Sequence, residues 1–376
     1  MVGIKDVARM AGVSAATASR ALTGSGPVAS STRTRVQEAV AALGYVPDAA
    51  ASSLASGRTR NIGLVTPSVH RWFFAAVLEG AADELVRRRY DLTLYDVGQD
   101  HDRRSAVLTD LLPRRRLDAL VTLSFRLSPF ELDGLARLGR PVVAVGGRLP
   151  SGEALPEWFT AVQVDDARAA RMATGHLIEL GHREIAYMGR VADDIEFQVS
   201  TERTRSFLDA LAAAGLRTPA DWMLPADFTI GDAYHRARAL LADPEHRPTA
   251  VLCISDEMAM GTLMAAQSLG LRVPEDVSVM GLDGHPDAAR LGISTVDQTP
   301  VDQGRRAVRL ALGALDGTPT RPASSTTWPC NPGRAPRRRE RRAGSRPRRR
   351  RPPSTPPSPR IVGHVPARER TPPWPP

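Results

Sequence analysis

Two cysteines in 376 residues are too few for a disulfide framework. Cys253 lies inside the apolar run Val251-Leu252-Cys253-Ile254 and Cys330 stands far from it, which argues against a shared metal cluster. That usage suits a reducing cytoplasm. The amino terminus carries no apolar export stretch, and no run approaches the roughly 20 apolar residues that span a bilayer. A soluble cytoplasmic protein, neither exported nor membrane-bound, is expected. Catalytic signatures are missing too: there is no Gly-x-Ser-x-Gly elbow and no phosphate-cradling Gly-x-x-x-x-Gly-Lys. Gly181-His182 follows a helical stretch and reads as a turn into the next strand. The chain is therefore expected not to be an enzyme, with no cofactor and no metal.

What is present is apolar material for at least two folded units, at 42% hydrophobic residues. The net charge of +9 is unevenly spread. Residues 1–60 carry +4 and residues 321–376 carry +13, which leaves −8 for the middle. An acidic body with basic ends suggests that nucleic acid meets an end of the chain.

In the first sixty residues Ile4, Val7, Ala8 and Ala11 recur at helical spacing, and Gly12 breaks the pattern where a tight turn needs a permissive backbone. Ser14 is a good N-cap for a second helix from Ala15 to Leu22. Ala18, Ala21 and Leu22 can pack back on the first helix, and the small Ala8 and Ala18 allow the close crossing of a helix-turn-helix. The exposed face of the second helix then offers Ala15, Ala16, Thr17, Ser19 and Arg20 to a major groove. A third helix, Thr32 to Leu43, buries Val36, Val40 and Leu43.

The middle alternates strand-like and helix-length segments. Strands are expected at 62–65, 92–95, 119–123, 142–145, 161–164, 185–188, 251–254 and 277–280, with helices such as 73–89, 167–180, 204–214 and 258–269 between them. Such alternation specifies an α/β fold of parallel sheets covered on both faces. About 260 residues of it suggest two doubly wound lobes with a ligand cleft at the strand carboxyl ends.

The run Ile4-Lys5-Asp6-Val7-Ala8-Arg9-Met10-Ala11-Gly12-Val13-Ser14, followed in register by Thr17, Ser19-Arg20, Val28, Thr32, Arg35-Val36 and Leu43-Gly44-Tyr45-Val46-Pro47, resembles the headpiece of the lactose/galactose repressor family. Trp72-Phe73-Phe74 through Leu78-Glu79-Gly80, the stretch His176 to Ala186, Ser255-Asp256-Glu257-Met258-Ala259-Met260-Gly261 and Val273 to Asp283 are similar to its sensor domain, which is itself similar to periplasmic sugar-binding proteins. The likeness runs to about residue 320.

The resemblance implies a headpiece at 1–47, a hinge helix and linker at 48–59, and an effector domain at 60–320, with lobe 1 at 60–160 and 292–320 and lobe 2 at 161–291. Ser14 would join the second-helix residues in binding DNA. Ala51 and Leu54 of the hinge would enter the minor groove, Leu54 as a wedge. Phe73, Arg203, Phe228, Ser255 and Asp283 would bind the effector from loops facing one cleft. The expected protein is a homodimeric repressor on a pseudo-palindromic operator, released by a sugar, an oligosaccharide ahead of a monosaccharide. A purine effector is the alternative. A transport protein for sugars is a further one, disfavoured because it has no use for the headpiece.

The sequence also departs from the family. Gly146 replaces an acidic residue after the fourth strand, Arg71-Trp72 replaces Asn-Pro, and Ser255 stands where Asn is common. Gly3 replaces a capping Thr, and Ala15 and Ala16 open the recognition helix without a hydrogen-bonding group, so readout should lean on Ser19 and Arg20.

Residues 322–376 hold fifteen prolines, and ten of the fifteen residues in 337–351 are arginine. No core can form from such a segment, and a disordered tail is expected. One base out of frame, codons for Ser324-Ser325 and for Trp328 to Cys330 would encode an alternating apolar strand. That suggests a shifted reading frame from about 322.

Overall fold

A computed structural model describes residues 2–23, 26–45, 58–98, 100–112, 117–125, 127–146, 156–189 and 198–318. The expected hinge helix, with Ala51 and Leu54, and the expected tail from 321 lie outside the described residues.

The amino-terminal segment forms three helices, α1 (Ile4–Ala11), α2 (Ala15–Thr23) and α3 (Ser30–Leu43). Gly12 ends α1 at φ 64°, a left-handed conformation that a glycine adopts without strain, and Val13 N–H reaches back to Ala8 O at 3.0 Å. Val7, Ala8, Ala11, Ala18, Ala21, Val36 and Ala39 form a core of their own. Alanines dominate it because three short helices crossing closely leave little room between backbones. Val40 and Leu43 are only partly buried at its edge.

The remainder holds two five-stranded parallel sheets. The first contains β1 (Asn61–Thr66), β2 (Asp91–Asp96), β3 (Ala119–Leu123), β4 (Val142–Val145) and β5 (Phe159–Val162) in the order β2-β1-β3-β4-β5. The second contains β6 (Ile185–Gly189), β7 (Met223–Pro225), β8 (Ala250–Cys253), β9 (Ser278–Asp283) and β10 (Ser294–Asp297) in the order β7-β6-β8-β9-β10. The two orders are the same, so each lobe is one doubly wound unit. Central strands β3, β4, β6 and β8 are buried throughout and lack alternation, because helices cover both faces.

In lobe 1 the helices are α4 (Trp72–Arg88), α5 (His101–Ala106, continued by a π-helical turn over Val107–Leu111) and α6 (Pro129–Ala136). Helix α12 (Pro300–Leu315) returns to this lobe and lies along α4. A side chain on Gly80 would run into Val301 O and one on Gly304 into Val77 O, so both glycines are needed for that approach. In lobe 2 the helices are α7 (Asp166–Glu179), α8 (Gln198–Ala213), α9 (Ile230–Leu241), α10 (Asp256–Ser268) and α11 (Pro286–Arg290). The chain enters lobe 1 through residues 58–60. There the carboxylate of Asp118 accepts from Thr59 N, Thr59 Oγ1 and Arg60 N, and Arg58 reaches Leu315 O and Asp316.

Two expectations need correction. Residues 161–164 were to open lobe 2, but the strand is Phe159–Val162 and pairs with β4, Val145 opposite Val162. Its two ends are fixed by that ladder, and the chain crosses between lobes at 163–165. Lobe 1 was to resume at 292, but Ser294–Asp297 is a strand paired with β9, Val296 opposite Leu282. The return crossing is therefore 298–299. That four-residue strand, polar at both ends, was too short for its period to register.

Candidate effector cleft and DNA-binding face

On the headpiece, Ser14 caps α2: its Oγ accepts from Thr17 N at 3.1 Å and lies 2.9 Å from Thr17 Oγ1. The two hydroxyls expected at DNA are therefore fixed against one another. Ala16 and Arg20 are exposed, and Arg20 Nε donates to Ala16 O at 3.3 Å. Ser19 is half-buried. Ala15 is also half-buried and leans on the headpiece core, so it is not the open surface expected. Gly3 caps α1 through its backbone, donating N–H to Asp6 Oδ2 at 3.0 Å.

In each sheet the order reverses between the first strand and the third, and open sheets bind ligands at the carboxyl edge of such a switch point. From β1 that edge leads through 67–71 into α4, which starts with Trp72. From β8 it leads through Ile254 into Ser255 and α10. From β7 it leads to Phe228, and β9 ends on Asp283. Topology thus brings Arg71, Trp72, Ser255, Glu257, Phe228 and Asp283 towards one place from four separate chain segments.

Two of the five expected effector residues are not on loops. Phe73 stands in the first turn of α4, half-buried, its ring edge-on to Phe74 at 5.6 Å. Arg203 is inside α8 and is 4% exposed. Both helices start earlier than expected, α4 at Trp72 and α8 at Gln198, and Arg71, the N-cap of α4, makes no side-chain cap bond. Phe228 does lie in a loop, partly buried against the lobe 2 core. Ser255 is 1% exposed and caps α10, accepting from Met258 N.

Arg203 and Asp283 are joined indirectly. The arginine donates from Nε to Asp166 Oδ1 at 2.8 Å and from one terminal nitrogen to Ile254 O at 2.6 Å. Its other terminal nitrogen donates to Gln298 Oε1 at 3.2 Å. Gln298 Nε2 in turn donates to Asp283 Oδ1 at 2.9 Å and to Leu282 O. Asp283 Oδ2 accepts Asp256 N at 3.0 Å, and Asp256 accepts from Thr295 Oγ1 and His285 N. Burial pushes Asp256 up to about 6, and burial together with the Asp256 charge raises Asp283 well above the carboxylate range. Burial opposes the Arg203 charge, but Asp166 and then Asp283 outweigh it and hold its pKa above the ordinary arginine value. The result is a buried polar floor in which the crossing residue Gln298 is the central bridge.

Asp166, Asp256, Glu257, His285, Thr295 and Gln298 were not anticipated. Asp166 and Gln298 border the two crossings, which lie at 163–165 and 298–299 and not at the expected 161 and 292. Among the described residues no His/Cys/Asp/Glu group could hold a metal ion, and no helix is long and apolar enough to cross a membrane.

A helix-turn-helix headpiece joined to a two-lobed ligand-binding unit defines a DNA-binding regulator controlled by a small molecule. The model for bacterial regulatory proteins of the lacI family matches residues 3–48, and a periplasmic binding protein-like domain matches 174–333, past the point where a frame shift was expected. The chain is 33% identical over 336 residues to the HTH-type transcriptional repressor PurR of Escherichia coli and of Shigella boydii, covering 88% of this chain and 95% of those proteins. It belongs to the lacI family and is a DNA-binding transcription regulator. A solved complex of the transcriptional regulator CelR with cellobiose is 30% identical with a TM-score of 0.60, covering 86% of this chain and 95% of that one. The lac repressor dimer bound to operator and the anti-inducer ONPF gives 0.75 at 22% identity, covering 89% and 98%, and bears on the fold alone.

Proposed function

We propose that the protein is a cytoplasmic homodimeric repressor of carbohydrate-utilisation genes that leaves a pseudo-palindromic operator when a sugar enters the cleft. It acts by binding and not by catalysis. Ser14 to Arg20 would face the major groove, and Ala51 and Leu54 the minor groove. Phe73, Phe228, Arg203, Ser255 and Asp283 would form the effector site, with Gln298 and Asp166 holding Arg203 in place.

The carrying observation is the polar chain Arg203–Gln298–Asp283 at the switch-point edge, towards which the segment carrying the aromatic Phe228 also leads. Donors and acceptors in a fixed row beside a ring suit a molecule with vicinal hydroxyls and an apolar face. The cellobiose complex of a 30% identical regulator supports a disaccharide as the first candidate. A purine is favoured by the 33% identity to PurR, and it would use the same ring and carboxyl.

Thermal-shift titration with cellobiose, other disaccharides, monosaccharides and purine bases, followed by operator release, separates the two readings. A sugar that raises the melting temperature, frees operator and loses both effects in Asp283→Ala is expected. Stabilisation by a purine base alone, with tighter operator binding, would replace the sugar reading.

A further inference from the structure

The inference below rests on the reading of this cleft as the effector site. Arg71, the residue capping α4 in lobe 1, reaches across to lobe 2. Its guanidinium carbon lies 4.3 Å from the centre of the Phe228 ring and 5.4 Å from that of Phe74. Its Nε donates to Glu257 Oε2 at 3.3 Å, and the next backbone amide, Trp72 N, donates to Glu257 Oε1 at 3.2 Å. The Trp72 ring sits 4.5 Å from the ring of His285. The side chains of Arg71 and Glu257 are only 16% and 18% exposed.

Phe228, Glu257 and His285 come from the segments after β7, β8 and β9, Glu257 from the first turn of α10, so one short segment of lobe 1 touches three separate segments of lobe 2. A guanidinium at 4.3 Å covers the face of the ring beneath it. A sugar or base cannot stack on that same face at the same time.

The geometry points to Arg71 as a tethered occupant of the effector platform. Its guanidinium takes the place over Phe228, and its bond to Glu257 latches the lobes. A stacking effector must displace Arg71, and displacement breaks its bond to Glu257, so occupancy of the platform and release of this cross-lobe bond are one event. Two sites coupled in this way must affect one another reciprocally. The sequence carries the device in a single position, where arginine stands in place of the asparagine common in the family.

The test uses the full chain, wild type against Arg71→Ala, with Arg71→Met as the variant that keeps an apolar stem should alanine disturb folding. Hydrogen exchange of the Trp72 amide is measured without ligand. Its acceptor Glu257 is unchanged in both variants, so faster exchange reports loss of the latch and not loss of that bond's partner. Cellobiose is then titrated calorimetrically. Expected are faster Trp72 exchange and about tenfold tighter cellobiose binding in the variants, a size typical of coupling between sites. Unchanged exchange overturns the latch, and equal or weaker cellobiose binding shows that Arg71 is a ligand contact and not an occupant. Cellobiose bound by neither protein would count against the disaccharide reading, while the exchange measurement still decides the latch.

Discussion

Arg203 bonds Asp166 with two nitrogens, at 2.8 and 2.7 Å to the same oxygen, and meets Asp283 only through Gln298. The buried cation is thus neutralised by a residue at one lobe crossing and oriented by a residue at the other. Replacing Arg203 by Met removes its donors from the Asp166 carboxylate, 15% exposed, and from Ile254 O. Breaking one half of a buried pair costs roughly 3–5 kcal/mol. Urea unfolding should show a loss in that range, larger than that of Asp166→Asn, which keeps an acceptor for Arg203. A loss below about 1 kcal/mol would mean that water replaces the pair and that the floor is not dry.

The approach of α4 to α12 gives a second prediction. Gly80→Ala and Gly304→Ala each push a methyl into a backbone carbonyl of the facing helix, which no rotamer change relieves. Overpacking of this kind costs roughly 1–3 kcal/mol. Gly231→Ala, on α9 with open space around its Cβ, should cost nothing beyond about 0.5 kcal/mol and is the control. Thermal unfolding of the three variants checks the order, and equal effects at all three positions would refute it.

The α/β class and the two lobes were legible because the repeating strand-helix pattern survives over some 260 residues, and β3 and β4 fall where the sequence placed them, at 119–123 and 142–145. The headpiece turn was legible because Gly12 and Ser14 carry local chemistry, a left-handed residue and a cap. What stayed hidden was set by tertiary contact. Met223–Pro225 and Ser294–Asp297 are strands only because β6 and β9 offer them a ladder. Asp166 and Gln298 matter because two crossings bring them to Arg203, and nothing local to either residue announces that meeting. Arg71 was noticed as a departure, but its reach to Phe228 and Glu257 needed the lobes in place.

Arg20 tests the headpiece. It is exposed on α2, anchored lightly by Nε to Ala16 O, and is the charged group on the face offered to DNA. Arg20→Ala should narrow the gap between specific and random DNA by about 1–3 kcal/mol if it pairs with a base edge. Fluorescence anisotropy on both duplexes at two salt concentrations is the measurement. Equal loss on both, with a shallower salt slope, would reduce Arg20 to a phosphate contact.

The carboxyl pair under the cleft predicts a pH dependence. Burial lifts Asp256 to about 6 from 3.8, and Asp283 is raised as well, by burial and by Asp256 itself, against the pull of Arg203 and Arg71. The two titrate as a unit. Between about 4 and 6 the folded chain keeps on Asp256 a proton that the unfolded chain has released, so stability from Asp256 is complete below about 4 and is lost as pH rises through 6, and Asp283 acts in the same direction. His285 works in the opposite sense. Burial lowers its pKa, so its contribution falls as pH drops through its ordinary value of 6.5. The two slopes overlap, and the carboxyl effect must be read as a difference between wild type and Asp256→Asn at each pH. Asparagine keeps an acceptor for Thr295 but turns an NH2 towards His285 N–H, so the variant is less stable at every pH; the slope is the readout, not the level. Urea midpoints between pH 4.5 and 7.5 should show the gap between the two proteins narrowing as pH rises, because wild type alone loses the Asp256 contribution there. A gap that stays constant across that range would mean that Asp256 titrates near its ordinary value and that the floor of the cleft is wet.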